Sequence, residues 1–334
     1  MPVRPAPHVT VILDRREVEA LLSPQLCMEA VEDALRCAAL GELPPSGILG
    51  MNAGHGSFHV KAGLLAAGGT YFAAKVNANF AHNPARFGLP TIQGAVLLFD
   101  AGDGRLLAIM DSMALTARRT GAATAIAARH LARSTCSTLL ICGCGEQAPE
   151  QLRAVLSMRS PARVLAFDTD PDTARAFAST AQSVQGVHIS PVDDLRSAMP
   201  ASDIVITCTS ATSAFVTPEL VRPGTFIAAV GADHEDKQEI APELMARAKV
   251  VTDSTQQAAR IGELHHAIAA GAMTEGDVHA ELGEMLAGLR SGRVGDEEVT
   301  IFDSTGLGLQ DVAAAIAVYR RALEKGRGAG VALG

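Results

Sequence analysis

The chain has 334 residues, 48 % of them hydrophobic and 19 % charged, a composition typical of a globular protein with a large core. Its net charge of −8, without a basic run or any tryptophan, excludes a basic nucleic-acid groove and an aromatic base platform. No apolar stretch has the length of a signal-peptide core or a membrane span, so we expect a cytoplasmic protein that does not bind membranes.

The first third of the chain predicts short helices followed by a sheet. Residues 9–13 form a strand pattern, and Ser23 before Pro24 is typical of the start of a helix, which we expect to end at Gly41. Short apolar runs separated by glycine and proline then predict a mixed or antiparallel sheet, with strands at 56–60, 70–76, 91–99 and 106–110. An alanine-rich helix is predicted over 115–132.

After this helix the pattern changes to alternating strands and helices. Strands are predicted near 137–142, 163–168, 186–190, 203–208, 225–230, 248–252 and 299–302, and helical patterns at 171–183, at 258–289 and up to about 323. This alternation is typical of a doubly wound parallel sheet. We therefore predict an α/β protein in which residues 121–303 form one domain, inserted into a domain of 1–120 and 304–334. The glycine-rich tail, 325–334, is expected to be frayed.

A glycine-rich turn follows the first strand of the inserted domain. Gly143 and Gly145 form a Gly-x-Gly-x-x-Ala pattern with Ala148, and the next strand ends at Asp168. In the Rossmann fingerprint such glycines allow a tight turn and a close approach of pyrophosphate, while the acid binds the ribose hydroxyls. Since an acid repels a 2′-phosphate, the sequence predicts NAD rather than NADP. The alternative is a glycine-rich structural turn.

Several charged residues lie where a cleft is expected. Lys75 interrupts an apolar strand, Arg119 lies next to Arg118 in the alanine-rich helix, and Asp233 follows the end of a predicted parallel strand. These residue types bind carboxylates or transfer protons, although each could instead face solvent. Because adjacent helical residues are about 100° apart, one of the two arginines can face solvent while the other faces the domain interface, and the alternative is that both lie on the surface. His59 and Lys61 share one strand face and could bind an anion or form its solvated side.

Taken together, these segments resemble the ornithine cyclodeaminase/μ-crystallin family, particularly its archaeal alanine dehydrogenase branch. The similar segments occur in family order and cover most of the chain: Lys75-Val-Asn77, Gly88-Leu-Pro-Thr91, Arg119-Thr-Gly-Ala-Ala123, Gly143-Cys-Gly-Glu-Gln-Ala148, Gly231-Ala-Asp233, Lys237-Gln-Glu239 and Ile301-Phe-Asp-Ser-Thr-Gly306. The resemblance implies a Rossmann domain inserted in an α+β substrate-binding and dimerisation domain, and a homodimer.

The resemblance also implies roles for individual residues. Lys75 and Asp233 match the paired catalytic groups, and Arg119 and Thr305 match positions near the substrate. The positions that match the lining of the cofactor site are Thr91, Arg119, Thr120, Gly143, Gly145, Glu146, Gln147, Asp168, Thr209, Val230, Lys237 and Ser304. The implied cofactor is NAD or NADH, and no metal site is expected.

One position departs from the family pattern. Family members usually carry a basic residue in the early loop, where this chain has Ser46. We expect Lys61 or His59 to supply the missing positive charge at the substrate's carboxylate.

Three functions remain open at this point. The first is an NAD-dependent amino-acid dehydrogenase or imine reductase, in which hydride moves between a substrate Cα and the nicotinamide. The second is a cyclodeaminase that releases ammonia with catalytic NAD and no net redox change. The third is a non-catalytic, crystallin-like protein that binds a nucleotide or a small ligand. The residues of the segments at 231–239 and 301–306 favour the first of these functions.

Overall fold

The computed structural model describes residues 9–41 and 47–333, and of residues 183–185 the backbone only. The chain forms two compact units, unit 1 (Met1–Arg119 and Leu307–Gly334) and unit 2 (Thr120–Gly306). These divisions lie one and three residues from the predicted domain boundaries at 120/121 and 303/304. Among the described residues, none of the helices is both long enough and apolar enough to span a bilayer.

The strands and helices are as follows in chain order. Those up to the unit boundary are β1 (Val9–Leu13), α1 (Arg15–Leu21), α2 (Pro24–Ala39), β2 (Gly47–Asn52), β3 (Ser57–Ala66), β4 (Thr70–Asn79), α3 (Asn83–Phe87), β5 (Ile92–Asp100), β6 (Leu106–Asp111) and α4 (Ser112–Leu131), within which the boundary falls. Unit 2 continues with β7 (Thr138–Cys142), α5 (Ala148–Leu156), β8 (Arg163–Phe167), α6 (Pro171–Gln185), β9 (Ile189–Pro191), α7 (Leu195–Ala198), β10 (Ile204–Thr207), β11 (Thr212–Val216), β12 (Phe226–Ala229), β13 (Gln238–Ile240), α8 (Pro242–Met245), β14 (Lys249–Thr252), α9 (Thr255–Ile261), α10 (Glu263–Ala269), β15 (Ala280–Glu281), α11 (Leu282–Leu286) and β16 (Thr300–Asp303). Unit 1 ends with α12 (Gly308–Lys325) and β17 (Ala329–Ala332).

Unit 1 is built on a seven-stranded mixed sheet in the order β17-β1-β6-β5-β4-β3-β2. Only the β1–β6 pair is parallel, so of the two predicted forms, mixed or antiparallel, the sheet has the mixed one. Helix α12 packs against α2 and against β3 and β4. Its first residue, Gly308, lies so close to β3 that a Cβ there would be 2.9 Å from the carbonyl oxygen of Ala62. This close approach brings the first turn of α12 down onto one face of the sheet.

Unit 2 contains an eight-stranded parallel sheet in the order β15-β14-β16-β12-β10-β7-β8-β9. Its central strands are mostly apolar and are buried along their whole length, as expected of a parallel sheet covered on both faces. The chain leaves β7 for β8 on one side and later returns to β10 on the other, so the strand order reverses between β7 and β10. Open α/β sheets bind ligands at such a switch point. The predicted Rossmann α/β fold is confirmed.

Two predicted elements were wrong. The helical stretch at 258–289 is divided into α9, α10 and α11 with β15 between the last two, and the first break is at Gly262. A Cβ on Gly262 would lie 2.8 Å from the carboxylate of Asp303, which accepts a hydrogen bond from the Leu264 amide at the start of α10. The tail expected to be frayed forms β17, which pairs with β1. Gly328, at φ +95°, permits the close approach that this pairing requires.

Candidate active site

A cluster of buried charged side chains lies between the sheet of unit 1 and α12. Lys75 on β4 is only 4 % exposed, and it pairs directly with Lys61 on β3 and with Val96 on β5. Because directly paired residues point to the same side of a sheet, Lys61 and Lys75 share one face. On this face the Lys75 ammonium forms an ion pair with Asp311 of α12, with 2.8 Å between Nζ and Oδ2.

Asp311 also binds the arginine that was singled out in the sequence. Arg119 Nε donates to Asp311 Oδ1 at 2.8 Å, and Arg119 Nη1 donates to Gln310 Oε1 at 3.2 Å. Lys75 Nζ donates to Thr116 Oγ1 at 3.2 Å; Thr116 lies one helical turn before Arg119 on α4. One carboxylate therefore connects cations that come from β4 and α4.

The neighbouring Arg118 points elsewhere. Its guanidinium donates to the carbonyl oxygens of Leu22 and Glu19, at 3.1 and 3.4 Å, near the end of α1. Both arginines are buried, at 7 % exposure for Arg118 and 5 % for Arg119. The expectation that at least one of them faces solvent was wrong, because the carbonyl groups that end α1 offer Arg118 a partner inside unit 1.

Burial dominates the electrostatics of this cluster. It lowers the pKa of Lys75 to about 7; Asp311 raises this pKa, whereas Arg119 and Lys61 lower it further. Burial alone would raise the pKa of Asp311, but attraction to Lys75 and Arg119 outweighs it and holds this pKa below its usual value. The cluster therefore keeps an ionised carboxylate and places a lysine that changes charge near neutral pH.

The other predicted substrate-binding residues of this unit lie on β3. Lys61 is half-buried beside Lys75, and His59 lies two residues away on the same face, with its Nε2 2.8 Å from Ser57 Oγ. Thr91, predicted to line the cofactor site, precedes β5, and its carbonyl accepts from the Phe80 amide. Ser46 lies outside the described residues.

The glycine-rich turn of unit 2 follows β7, at the switch point of the sheet. Gly143 has φ +89°, and a Cβ there would be 2.8 Å from the carbonyl oxygen of Cys208. Apart from its two chain neighbours, no described residue has an atom within 4 Å of the corresponding position on Gly145, so the backbone at this residue is open to a ligand. The next residues are Glu146, which is exposed, and Gln147, which precedes α5. Gln147 Oε1 is buried without a hydrogen-bond partner among the described residues.

Asp168 lies beside this turn at the end of β8. Its Oδ2 accepts from the Cys144 amide at 2.8 Å and its Oδ1 from the Asp170 amide at 3.0 Å. Since each carboxylate oxygen can accept more than one hydrogen bond, these contacts leave capacity for ribose hydroxyls. An open glycine backbone, the amino end of a nine-residue helix and a nearby acid fit a dinucleotide.

A buried glutamate connects the ends of the two central strands β10 and β12. Glu239 accepts from Thr207 Oγ1 at 2.6 Å, from the amide and hydroxyl of Thr209 at 2.7 Å each, and from the Gly231 amide at 2.9 Å. Burial raises its pKa although the threonine hydrogen bonds lower it. Glu239 lies in a segment that resembles the family, but the sequence assigns it no role; the available signal is a pair of threonines, Thr207 and Thr209, at the end of a strand. Val230 is buried just after β12.

Asp233 lies in the exposed loop that follows. Its side chain is 56 % exposed and forms an ion pair with Lys237, with 2.7 Å between Oδ1 and Nζ. The carbonyl of Lys237 is in turn 2.8 Å from His266 Nε2, which anchors this end of the loop.

The segment after β16 carries the remaining predicted residues. Ser304 donates its amide to Ala229, and its hydroxyl is buried without a partner among the described residues. The Thr305 hydroxyl donates to Asp253 at 2.8 Å and accepts from Gln257 at 2.9 Å, so it is engaged within unit 2. Thr120 is buried in α4. All the predicted site residues lie within the described ranges, 9–41 and 47–333. Their functional roles stay predictions.

Comparison with known proteins gives matches along almost the whole chain. The sequence signature of the ornithine cyclodeaminase/mu-crystallin family matches residues 8–326. Alanine dehydrogenase of Archaeoglobus fulgidus is 40 % identical over 323 residues, which cover 96 % of this chain and 97 % of that protein.

Two solved structures extend this comparison to the fold. An archaeal alanine dehydrogenase dimer with bound NAD has a TM-score of 0.90 at 39 % identity, covering 97 % of this chain and 99 % of that one. The Δ1-pyrroline-2-carboxylate reductase of Thermococcus litoralis, in complex with NADH and L-proline, has a TM-score of 0.91 at 33 % identity, covering 96 % and 100 %.

Proposed function

Because this chain belongs to the ornithine cyclodeaminase/mu-crystallin family, we propose that it is an NAD(H)-dependent oxidoreductase of a small α-amino or α-imino acid. The reaction would transfer hydride between the substrate Cα and the bound cofactor. The observation that carries this proposal is the buried cluster of Lys75 and Arg119 around Asp311, since two cations beside one acid leave positive charge for a substrate carboxylate. Similarity to an alanine dehydrogenase and to a reductase of a cyclic imino acid supports the same substrate class.

Most of the residues that would hold the cofactor lie in unit 2. The glycine turn at 143–145 would hold the pyrophosphate, and Asp168 would bind the ribose hydroxyls and disfavour a 2′-phosphate. When bound, NAD supplies the nicotinamide C4 that accepts or returns the hydride. Thr209, which is hydrogen-bonded to Glu239, and the buried Ser304 would also line the cofactor site.

The chain's own residues orient the substrate and move its proton. Arg119 and Lys75 bind the α-carboxylate, which fixes the direction of the Cα–H bond. Asp233 takes a proton from the amine as the C=N bond forms and returns it in the reductive direction. Lys61, or His59, supplies the cation that the family usually carries in the early loop.

One assay distinguishes this function from the two others. The protein is incubated with NADH, ammonia and a series of 2-oxo acids, with NADH and a preformed cyclic imine, and separately with catalytic NAD and ornithine. Consumption of NADH in proportion to substrate is the expected result. Release of ammonia from ornithine without net change in NAD would indicate a cyclodeaminase, and nucleotide binding without turnover would indicate a binding protein; either result would overturn the proposal.

We also propose a homodimer formed through the sheet of unit 1. The face opposite to Lys75 carries Leu49, Phe58 and Val76, which are 55 %, 42 % and 37 % exposed and lie on the adjacent strands β2, β3 and β4. An apolar sheet face of this kind is typical of a subunit interface, and the archaeal relative is a dimer. Phe58→Asp should give a monomer in light scattering, whereas Leu323→Asp, at an exposed leucine of α12, should leave the dimer intact. A dimeric Phe58→Asp variant would contradict this interface.

A further inference from the structure

The C-terminal helix α12 contributes a carboxylate that the proposed chemistry does not use directly. Asp311 is 1 % exposed and lies in the first turn of α12, where the helix dipole stabilises a negative charge. Asp311 lies against the sheet because Gly308, one turn earlier, allows the helix to approach the backbone of Ala62. The position of this carboxylate is therefore fixed by backbone packing rather than by a flexible loop.

Asp311 contacts both cations of the cluster at hydrogen-bond distance. Its Oδ2 is 2.8 Å from Lys75 Nζ, and its Oδ1 is 2.8 Å from Arg119 Nε. Because each oxygen serves one cation, the orientation of the carboxylate determines where both positive groups lie. The two bonds described for Arg119, to Asp311 and Gln310, use two of its five N–H donors.

Resting on the function proposed above, we propose that Asp311 is the positioning residue of this site: it holds the ammonium of Lys75 and the guanidinium of Arg119 in the geometry that receives the substrate carboxylate. Without it, two like charges from β4 and α4 would repel each other in a buried environment. The charged groups that face Lys75 within unit 1 are Asp311 from α12, Arg119 from α4, and Lys61 with the nearby His59 from β3.

The test reads the protonation of Lys75 directly and needs no turnover. The sequence contains five lysines, so a protein labelled at lysine ¹³Cε gives few NMR signals, and Lys75→Arg assigns the signal of interest. In Asp311→Asn we expect the titration midpoint of Lys75 to fall by about one pH unit or more, because an opposite charge at contact distance is lost. Asp33→Asn, which removes an exposed carboxylate of α2, is the matched control and should leave the midpoint unchanged.

Steady-state kinetics provide the second measurement. The KM for the imine or oxo acid should rise about tenfold in Asp311→Asn, while the KM for NADH should rise less, since Arg119 is the only cofactor-lining position of the prediction that Asp311 is described to contact, and the glycine turn and Asp168 lie in unit 2. A folded Asp311→Asn protein with an unchanged Lys75 midpoint would overturn the proposal, whatever reaction the enzyme catalyses.

A variant that retains the charge covers the case in which Asp311→Asn does not fold. Asp311→Glu moves the carboxylate by one methylene, so we expect a smaller shift of the Lys75 midpoint in the same direction and a several-fold higher substrate KM. If this variant kept both values of the wild-type protein, the position of the carboxylate would not matter and the proposal would fail. Absence of all turnover in wild-type protein, with the Lys75 shift present, would instead contradict only the proposed function.

Discussion

Lys61 and Lys75 are directly paired across β3 and β4, so two ammonium groups occupy adjacent places on one face of the sheet. Like charges placed opposite each other destabilise a sheet. The arrangement is compatible with stability because Asp311 pairs with Lys75, and because burial lowers the pKa of Lys75 to about 7, with Arg119 and Lys61 lowering it further. We interpret the repulsion between these two lysines as a loss of stability that accompanies the grouping of positive charge for an anionic substrate.

Replacing Lys61 tests whether this residue supplies the positive charge that family members usually carry at the position of Ser46. In Lys61→Met we expect the KM for the substrate to rise about tenfold, equivalent to about 1.4 kcal/mol, because a charge-assisted contact to a carboxylate is lost. The thermal stability should stay equal or rise, since one repulsive pair is removed. Lys325→Met, at the exposed end of α12, is the control. Unchanged substrate KM in both Lys61→Met and His59→Ala would refute the compensation.

The pH dependence of the reductive reaction tests the protonation state of Lys75. Its pKa of about 7 means that the ammonium form is present below neutral pH and is lost as the pH rises through 7. If the ammonium binds the carboxylate, kcat/KM for a preformed imine should fall above about pH 7. Measurement between about pH 5.5 and 9 with saturating NADH decides this, and a kcat/KM that rises through neutral pH would be inconsistent with a cationic Lys75.

Cofactor choice should depend on Asp168. In Asp168→Asn the amide oxygen can still accept from the Cys144 amide, but the charge that repels a 2′-phosphate is gone. We expect the ratio of kcat/KM for NADH over NADPH to fall by about tenfold to a hundredfold, the range of a charged hydrogen bond. Retention of the wild-type ratio would show that another residue selects the cofactor.

Glu239 should contribute both to stability and to cofactor binding. In Glu239→Ala four hydrogen bonds at the ends of β10 and β12 are lost, so we expect unfolding to become easier by about 3 kcal/mol and the melting temperature to fall by several degrees. NADH should bind more weakly because Thr209 loses its anchor. Glu243→Gln, at an exposed position of α8, is the control for calorimetry and nucleotide titration. A variant with wild-type melting and affinity would argue against this role.

Much of the fold followed from local sequence patterns. The strand and turn around Gly143 carry their own signals, namely an apolar run followed by a residue that must adopt positive φ. The break at Gly262 carried only the weak signal of a glycine inside a helical pattern, and the carboxylate of Asp303, which packs against this glycine, lies far away in the sequence. Strand β17 was missed for a similar reason: its short glycine-rich segment is stabilised only by pairing with β1.

The candidate site shows the same limit. Lys75, Arg119 and Asp168 could be singled out because a charge in an apolar pattern, or at the end of a strand, requires an explanation. Asp311 carried no local signal, since an acid in the first turn of a helix is ordinary. Its importance comes from contacts with residues nearly two hundred positions or more away in the chain, which only the tertiary structure provides.

Transfer of deuterium is the most direct test of the central claim, that this protein moves hydride between nicotinamide C4 and a substrate Cα. The enzyme is incubated with NADH carrying deuterium on the transferred face of C4 and with the 2-oxo acid and ammonia, or the cyclic imine, that it reduces fastest. We expect one deuterium per product molecule, located at Cα by NMR and mass spectrometry, with equimolar loss of NADH. A product without deuterium at Cα, or ammonia release from a diamino acid with no net loss of cofactor, would contradict the account.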